Sequence, residues 1–230
     1  MNVLDELAVQ VVNCADFAGN HPPYDKLTAR GVRVVYLNGN PGSIAEGGDP
    51  FATAAMVIDV ITRGFIAAVF FGMPRDSSDP AAGAIYANVC SAKVDALGGM
   101  ARVAAVLHDV EKVPLEFQRG FCERWDVIRF GRPTLYSVEP QQDATQNDYG
   151  RMLARNATAG KRLRKITTQS YFGGMQPIVP AAMVTYLTDR GVSADDVCPT
   201  IDPAQPVPYA TSALACGTRG AVLFEAGRIA

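Results

Sequence analysis

Histidine is scarce in this chain of 230 residues, which contains only His21 and His108. A Ser-His-Asp hydrolase or a histidine-rich metal site is therefore poorly supplied, and no G-x-S-x-G sequence is present to provide a nucleophilic serine. The glycine-rich sequences that hold phosphate groups, G-x-G-x-x-G after the first predicted strand and G-x-x-x-x-G-K-S/T, are also missing. The commonest catalytic and nucleotide-binding functions of α/β proteins are therefore not predicted.

Neither sign of charge is in excess, with 21 Lys and Arg residues against 23 Asp and Glu residues. No broad basic face is available for a phosphate backbone, so nucleic acid is not an expected partner.

The longest apolar run, GFIAAVFFGM, is shorter than the roughly 18 residues that a membrane span needs. The N-terminal sequence MNVLDELAVQVVNC has no basic residue before its apolar part and does not resemble a signal peptide. We therefore expect a cytoplasmic protein that does not bind membranes.

Cysteine is present without any spacing that suits a metal or a disulfide framework. The five cysteines are odd in number and scattered, and no C-x-x-C sequence occurs. They are typical of buried, reduced thiols in a cytoplasmic protein. The residues are Cys14, Cys90, Cys122, Cys198 and Cys216.

Three apolar runs in the first third of the chain, residues 9–12, 32–37 and 65–71, predict buried parallel strands because their apolar residues do not alternate with polar ones. Asp49-Pro50 offers an N-cap and a proline at the first position of a helix over residues 51–64. Strand, helix and strand in this order predict an α/β fold, with a mostly parallel central sheet and helices on both faces.

The rest of the chain is less regular. Residues 84–99 and 100–110 fit either a strand or a helix, and residues 148–166 are helix-like with a solvated basic face. Residues 193–230 contain a proline-rich connection followed by a predicted edge strand. We therefore predict a single α/β domain over residues 1–192 with a short C-terminal extension over residues 193–230.

Polar residues at the ends of the predicted strands are candidates for a site, since function concentrates there in open parallel sheets. The Asp16 carboxylate could accept two hydrogen bonds from the vicinal diol of a ribose, or it forms an Asx turn or a helix cap. Asp49 is a catalytic candidate, although a cap explains it fully. Arg75, beside Asp76, could neutralise a carboxylate or polarise a leaving group, or the two form a surface ion pair.

Aromatic side chains supply the other candidates. Tyr24, Phe51, Trp125 and Tyr171 could stack on a purine, although aromatic residues in so apolar a chain are more often part of the core.

The sequence SYFGGMQPIVPAAMVTYLTDRGVSADDV, residues 170–197, resembles the closing signature of the N-terminal domain in the S-adenosylmethionine hydroxide adenosyltransferase family, whose superfamily includes the fluorinases and chlorinases. NCADFAGN, residues 13–20, resembles the T-D-F-G opening of that family. DPFATAAMVIDVITRGFIAAVFFGMPRD, residues 49–76, resembles its second block. The D-x-T-H-E-x-P and P-D-N-G sequences of the family have no counterpart here.

The resemblance implies cleavage of S-adenosylmethionine by nucleophilic substitution at the ribose C5′, with water as nucleophile and with adenosine and methionine as products. S-adenosylmethionine would be the substrate, and no metal or other cofactor is implied. It also implies a homo-oligomer, and the members of the family are trimers. The implied catalytic residues are Asp49 and Arg75, and the implied substrate-binding residues are Asp16, Phe17, Phe51, Phe172, Gly173 and Gly174.

Two other functions stay open on the sequence alone. The missing D-x-T-H-E-x-P and P-D-N-G sequences favour a non-catalytic module that binds a nucleoside or serves in an assembly. A metal-dependent hydrolase is the third interpretation, in which Asp16, Asp49 and Asp76 hold a divalent ion such as magnesium.

The adenosyl interpretation predicts that Asp16→Ala weakens the binding of adenosine or S-adenosylmethionine by about 1.5–3 kcal/mol, the scale of hydrogen bonds to a charged group. Isothermal calorimetry measures the affinity directly. An unchanged dissociation constant would remove Asp16 from the site.

Overall fold

A computed structural model gives the fold of the chain. The residues that it describes are 11–13, 24–29, 32–39, 51–109, 113–129, 134–138, 164–168, 184–185, 187–189, 193–194, 197–201, 211 and 222–223.

The described strands form one closed barrel in which every neighbouring pair is parallel. The order around the barrel is the order along the chain, and the last strand pairs with the first. The strands are β1 (Val11–Asn13), β2 (Val34–Asn38), β3 (Ile66–Gly72), β4 (Ala105–Asp109), β5 (Thr134–Val138), β6 (Arg164–Thr168), β7 (Val197–Ile201) and β8 (Val222–Leu223).

Helices lie between consecutive strands in the first half of the chain. The helices are α1 (Tyr24–Ala29), α2 (Ala54–Thr62), α3 (Pro80–Ala96) and α4 (Leu115–Ile128), with a 3-10 turn at Gly99–Ala101. Among the described residues, none of these helices combines the length and apolarity that a membrane crossing requires.

The α/β class and the parallel sheet are confirmed, but the sheet closes on itself instead of carrying helices on both faces. Tyr36, Ala68 and Leu107 form a small cluster inside the barrel that consists of strand residues alone. The alternate strand residues, such as Val35 and Phe71, belong to the larger cluster that includes the described helices. Strands buried on both faces have the same unbroken apolar pattern in an open sheet and in a barrel, so the pattern could not distinguish the two.

The C-terminal part of the chain belongs to the barrel and is not an extension with an edge strand. The β7 and β8 strands pair with each other, and β8 also pairs with β1, so both sides of β8 are hydrogen-bonded. Residues 164–166, predicted within a helix, form the start of β6. The proline-rich composition of residues 193–230 concealed two short strands that close the sheet.

The start of α2 differs from the prediction. The helix begins at Ala54, and the N-cap is Thr53, whose side chain accepts a hydrogen bond from the Met56 amide. The Asp-Pro pair that caps a helix is the next one along the chain. Asp79 accepts a hydrogen bond from the Ala81 amide at 2.8 Å, and Pro80 opens α3. An Asp-Pro pair is compatible with a helix start but does not require one.

The predicted burial of reduced cysteines is confirmed for Cys90 and Cys122, which are buried free thiols. Of the candidate stacking aromatics, Trp125 is part of the buried core and Tyr24 packs against it. Both side chains therefore stabilise the fold rather than face a ligand.

Close packing of α3 against α4 depends on two glycines. A Cβ atom on Gly83 would overlap the Phe117 carbonyl oxygen, and one on Gly120 would overlap the Pro80 carbonyl oxygen. Because both obstacles are backbone atoms of the facing helix, the helices cannot keep their present distance with a larger residue at either position.

We expect Gly83→Ala and Gly120→Ala each to lower the free energy of unfolding by about 1–3 kcal/mol, the range for overpacking. In an isolated helix the same change would be favourable by about 1 kcal/mol, so a loss of stability identifies the overlap as its cause. Urea unfolding measures both values. Ala92→Leu, which enlarges an exposed side chain of α3, is the control and should stay close to the wild type; unchanged stability in both glycine variants would contradict the packing described here.

Candidate functional site

The carboxyl ends of the barrel strands are the place to look for a site. All strands are parallel, so the segments that follow them begin at the same end of the barrel, which carries the active site in essentially every barrel enzyme of this architecture. The last residues of the strands are Asn13, Asn38, Gly72, Asp109, Val138, Thr168, Ile201 and Leu223.

Asp109, the last residue of β4, is an acidic residue at this end. Leu107, two residues earlier on the same strand, belongs to the cluster inside the barrel. The backbone of Asp109 is in register with Gly72 on one side and Ser137 on the other. Glu111 follows two residues further along the chain. The sequence Asp-x-Glu therefore begins at the last residue of β4.

The end of β2 is held by two backbone hydrogen bonds. The Ala52 amide donates to the Asn38 carbonyl at 2.6 Å, and the Gly39 amide donates to the Phe70 carbonyl at 2.7 Å. The Asn38 side chain is buried at 7% exposure. A Cβ on Gly39 would overlap the Val69 side chain, which explains why the polar sequence after this strand begins with glycine.

The end of β3 is held by a side chain from α3. The Tyr86 hydroxyl donates to the carbonyl oxygen of Gly72 at 2.6 Å. Burial raises the pKa of Tyr86 well above its usual value, with a smaller contribution from Cys90, so the hydroxyl stays protonated and can donate this bond at ordinary pH.

His108 points to the outer side of β4 and is part of an aromatic cluster. Its ring centroid lies 4.6 Å from that of Phe121, 4.5 Å from that of Trp125 and 5.7 Å from that of Phe71. The side chain is fully buried, and burial lowers its pKa to about 3. We infer that His108 is a neutral core residue that anchors β4, and that it does not act as an acid or base at the barrel end.

Two of the site residues expected from the sequence are described. Phe51 is 37% exposed and precedes Ala52, which bonds to the end of β2. Arg75 is exposed in the bend after β3. Both lie in segments that follow strands of the barrel, and their roles as site residues stay predictions. The other six lie outside the described residues and their roles stay predictions: Asp16, Phe17, Asp49, Phe172, Gly173 and Gly174.

The magnesium interpretation rests on Asp16, Asp49 and Asp76, of which the described part of the chain includes Asp76 alone. That part of the chain contains no group of three or more His, Cys, Asp or Glu residues close enough to hold a metal ion.

Asp109 and Glu111 are the candidates that the sequence interpretation missed. The signal was available, since an Asp-x-Glu sequence directly follows the apolar run AAVLH. It was not recognised because residues 100–110 fitted a helix as well as a strand. Only a strand gives the two acids the same face, because side chains two residues apart share a face in an extended chain and not in a helix.

Comparison with known proteins supports the barrel architecture. No protein-family model and no curated protein matches the chain by sequence. Among solved structures, the catalytic domain of a hyperthermophilic chitinase from Pyrococcus furiosus is similar to the chain, with a TM-score of 0.65 and 9% identity over 95% of this chain and 84% of that one.

Two further structures show the same likeness. One is the spore cortex-lytic enzyme SleL of Bacillus megaterium QM B1551, with a TM-score of 0.59 and 8% identity over 85% of this chain and 50% of that one. The other is the carboxyl transferase domain of Rhizobium etli pyruvate carboxylase, with a TM-score of 0.57 and 8% identity over 96% of this chain and 40% of that one. At such identities the likeness shows the fold alone.

The buried position of His108 predicts a loss of stability in acid. Its pKa in the folded protein, about 3, lies below the ordinary value of 6.5, so between these values the unfolded chain binds more protons than the folded protein. Acidification therefore favours unfolding from pH 6.5 downwards, and linkage gives about 2–3 kcal/mol between pH 7.5 and pH 4.5. Urea unfolding at the two pH values measures this loss.

The variant His108→Asn separates this effect from the titration of carboxylates, which both proteins share. We expect the variant to be less stable at pH 7.5 but to lose less stability than the wild type on acidification. An equal loss in both proteins would show that His108 does not contribute to the pH dependence.

Proposed function

We propose that this protein is a glycoside hydrolase that cleaves a polysaccharide at the carboxyl end of its barrel, with the carboxyl groups of Asp109 and Glu111 as the reacting pair. The observation that carries the proposal is that Asp109 is the last residue of β4, at the carboxyl end of the barrel, and that Glu111 follows two residues later in the sequence.

Hydrolysis of a glycosidic bond suits this pair of residues. One carboxylic acid protonates the leaving oxygen, and a second carboxylate stabilises or attacks the positively charged sugar carbon while water completes the cleavage. We assign the acid role to Glu111 and the charge-stabilising role to Asp109, in a reaction that needs no histidine.

The inward side chains beside this pair are suited to a sugar. Phe70 is half-buried on the inner side of β3 and is in register with Asn38 on β2 and Leu107 on β4. An aromatic ring next to a side-chain amide can pack on the apolar face of a sugar ring and bond its hydroxyl groups. The names of the similar structures support the same substrate class, since one is a chitinase studied with chito-oligosaccharides and another is a cortex-lytic enzyme.

Cleavage of S-adenosylmethionine is the second candidate. It is supported by the three sequence blocks, and the described site residues of these blocks, Phe51 and Arg75, follow β2 and β3 in the chain. The described strands, however, close into a barrel, and the solved structures similar to the chain include the catalytic domain of a chitinase. The polysaccharide reaction is therefore the better supported of the two.

We expect the purified protein to release reducing ends from a chito-oligosaccharide, and Asp109→Asn and Glu111→Gln each to lower kcat by at least about 100-fold, the usual scale for a lost acid-base group. Reducing-sugar release and chromatography of the products measure the reaction. Glu123→Gln, which changes an exposed acid of α4, is the matched control and should keep the wild-type rate.

Parallel incubation with S-adenosylmethionine, with and without a chelator, tests the other candidates. Adenosine formed in the presence of chelator, without sugar release, would replace the proposal by the adenosyl reaction. Turnover that depends strictly on magnesium would favour the metal-dependent hydrolase. A thermal shift with adenosine but no turnover of either substrate would favour the non-catalytic module.

A further inference from the structure

One hydrogen bond connects the helical layer to the end of a strand beside the candidate acids. Tyr86 on α3 donates its hydroxyl to the carbonyl oxygen of Gly72, the last residue of β3, at 2.6 Å. Gly72 has no side chain of its own with which to fix its position. The hydroxyl of a helix residue therefore holds the strand end from the outer layer of the barrel.

Any displacement of Gly72 is passed to Asp109. The two residues are register partners in the β3–β4 ladder, and Phe71 and His108 are the preceding pair. Adjacent parallel strands are coupled by regularly spaced hydrogen bonds, so the end of β3 cannot shift alone. A shift there would move the backbone of Asp109.

The Tyr86 ring is itself held in place. Its centroid lies 6.2 Å from that of Phe117 and 6.1 Å from that of Phe121, both on α4. Phe121 also contacts His108, with 4.6 Å between ring centroids. The α3–α4 pair thus fixes β3 through the hydroxyl of Tyr86 and β4 through the ring of His108.

We propose that Tyr86 is a positioning residue of the proposed glycoside hydrolase, whose hydroxyl holds the end of β3 so that Asp109, on the neighbouring strand, is aligned with the bond to be cleaved. The inference rests on the proposed function. Tyr86 belongs to the helical layer and does not touch the substrate. Its hydroxyl affects the rate through the alignment of the reacting carboxylate. Catalytic rates depend steeply on such alignment, and a misplacement of about 1 Å lowers the rate about 100-fold.

Tyr86→Phe removes the hydroxyl and keeps the ring contacts. We expect kcat for a chito-oligosaccharide to fall about tenfold while KM stays within about twofold, since binding of the sugar does not involve the hydroxyl. The matched control is Tyr24→Phe. The Tyr24 hydroxyl donates to Asp59 at 2.7 Å, is also partly buried, and joins two outer helices. The Tyr24 ring packs on Phe65, at the amino end of β3, which is the end opposite to Gly72.

The control separates alignment from stability. Both variants lose one hydroxyl hydrogen bond, so both should show a similar small decrease in melting temperature, but only Tyr86→Phe should lose kcat. Equal kcat values in the two variants, or a rise in KM that accounts for the whole loss, would overturn the role of Tyr86 and leave the proposed function standing. Absence of hydrolysis in the wild type would overturn the proposed function itself, and the inference with it.

Discussion

The pairing of β8 with both β7 and β1 is the constraint on which the rest of the structure depends. Closure gives the sheet an inside, filled by strand side chains such as Tyr36 and Leu107, and an outside covered by the described helices. It also leaves no exposed edge in the sheet, since every described strand has two neighbours. With all strands parallel, closure brings their carboxyl ends together around one opening, and this arrangement makes a site possible there.

The layer of helices around the barrel determines how rigidly the strand ends at that opening are held. The α3–α4 pair approaches closely because Gly83 and Gly120 leave room for the facing backbone. That close approach supports the aromatic cluster of Phe121, Trp125 and His108, which fixes β4, and it supports the ring of Tyr86 behind β3. Packing in the outer layer and the positions of the ends of β3 and β4 are therefore parts of one arrangement.

Local features of the chain could be predicted from the sequence where one short-range physical cause determines them. The apolar runs that became β2 and β3 were recognisable because both faces of a parallel strand are buried. An Asp-Pro pair does mark the start of a helix in this chain, but it is Asp79-Pro80 at the start of α3. The prediction chose Asp49-Pro50 for α2, whose N-cap is Thr53. The roles predicted for Phe51 and Arg75 stay predictions. Asp109 and Glu111 were passed over because the run before them fitted two secondary structures.

The sequence by itself determined the α/β class and the parallel direction of the first strands. It also gave the expectation that the polar residues after those strands lie at one end of the sheet. These features could be read from the sequence because periodicity and strand order are local properties of the chain. Only the tertiary structure decided that the sheet closes, that residues 197–201 and 222–223 complete it, and that His108 faces the core. Closure depends on pairing between the two ends of the chain, and the face to which a residue belongs depends on the register with neighbouring strands. Both are set by contacts between residues far apart in sequence, which the local sequence pattern does not encode.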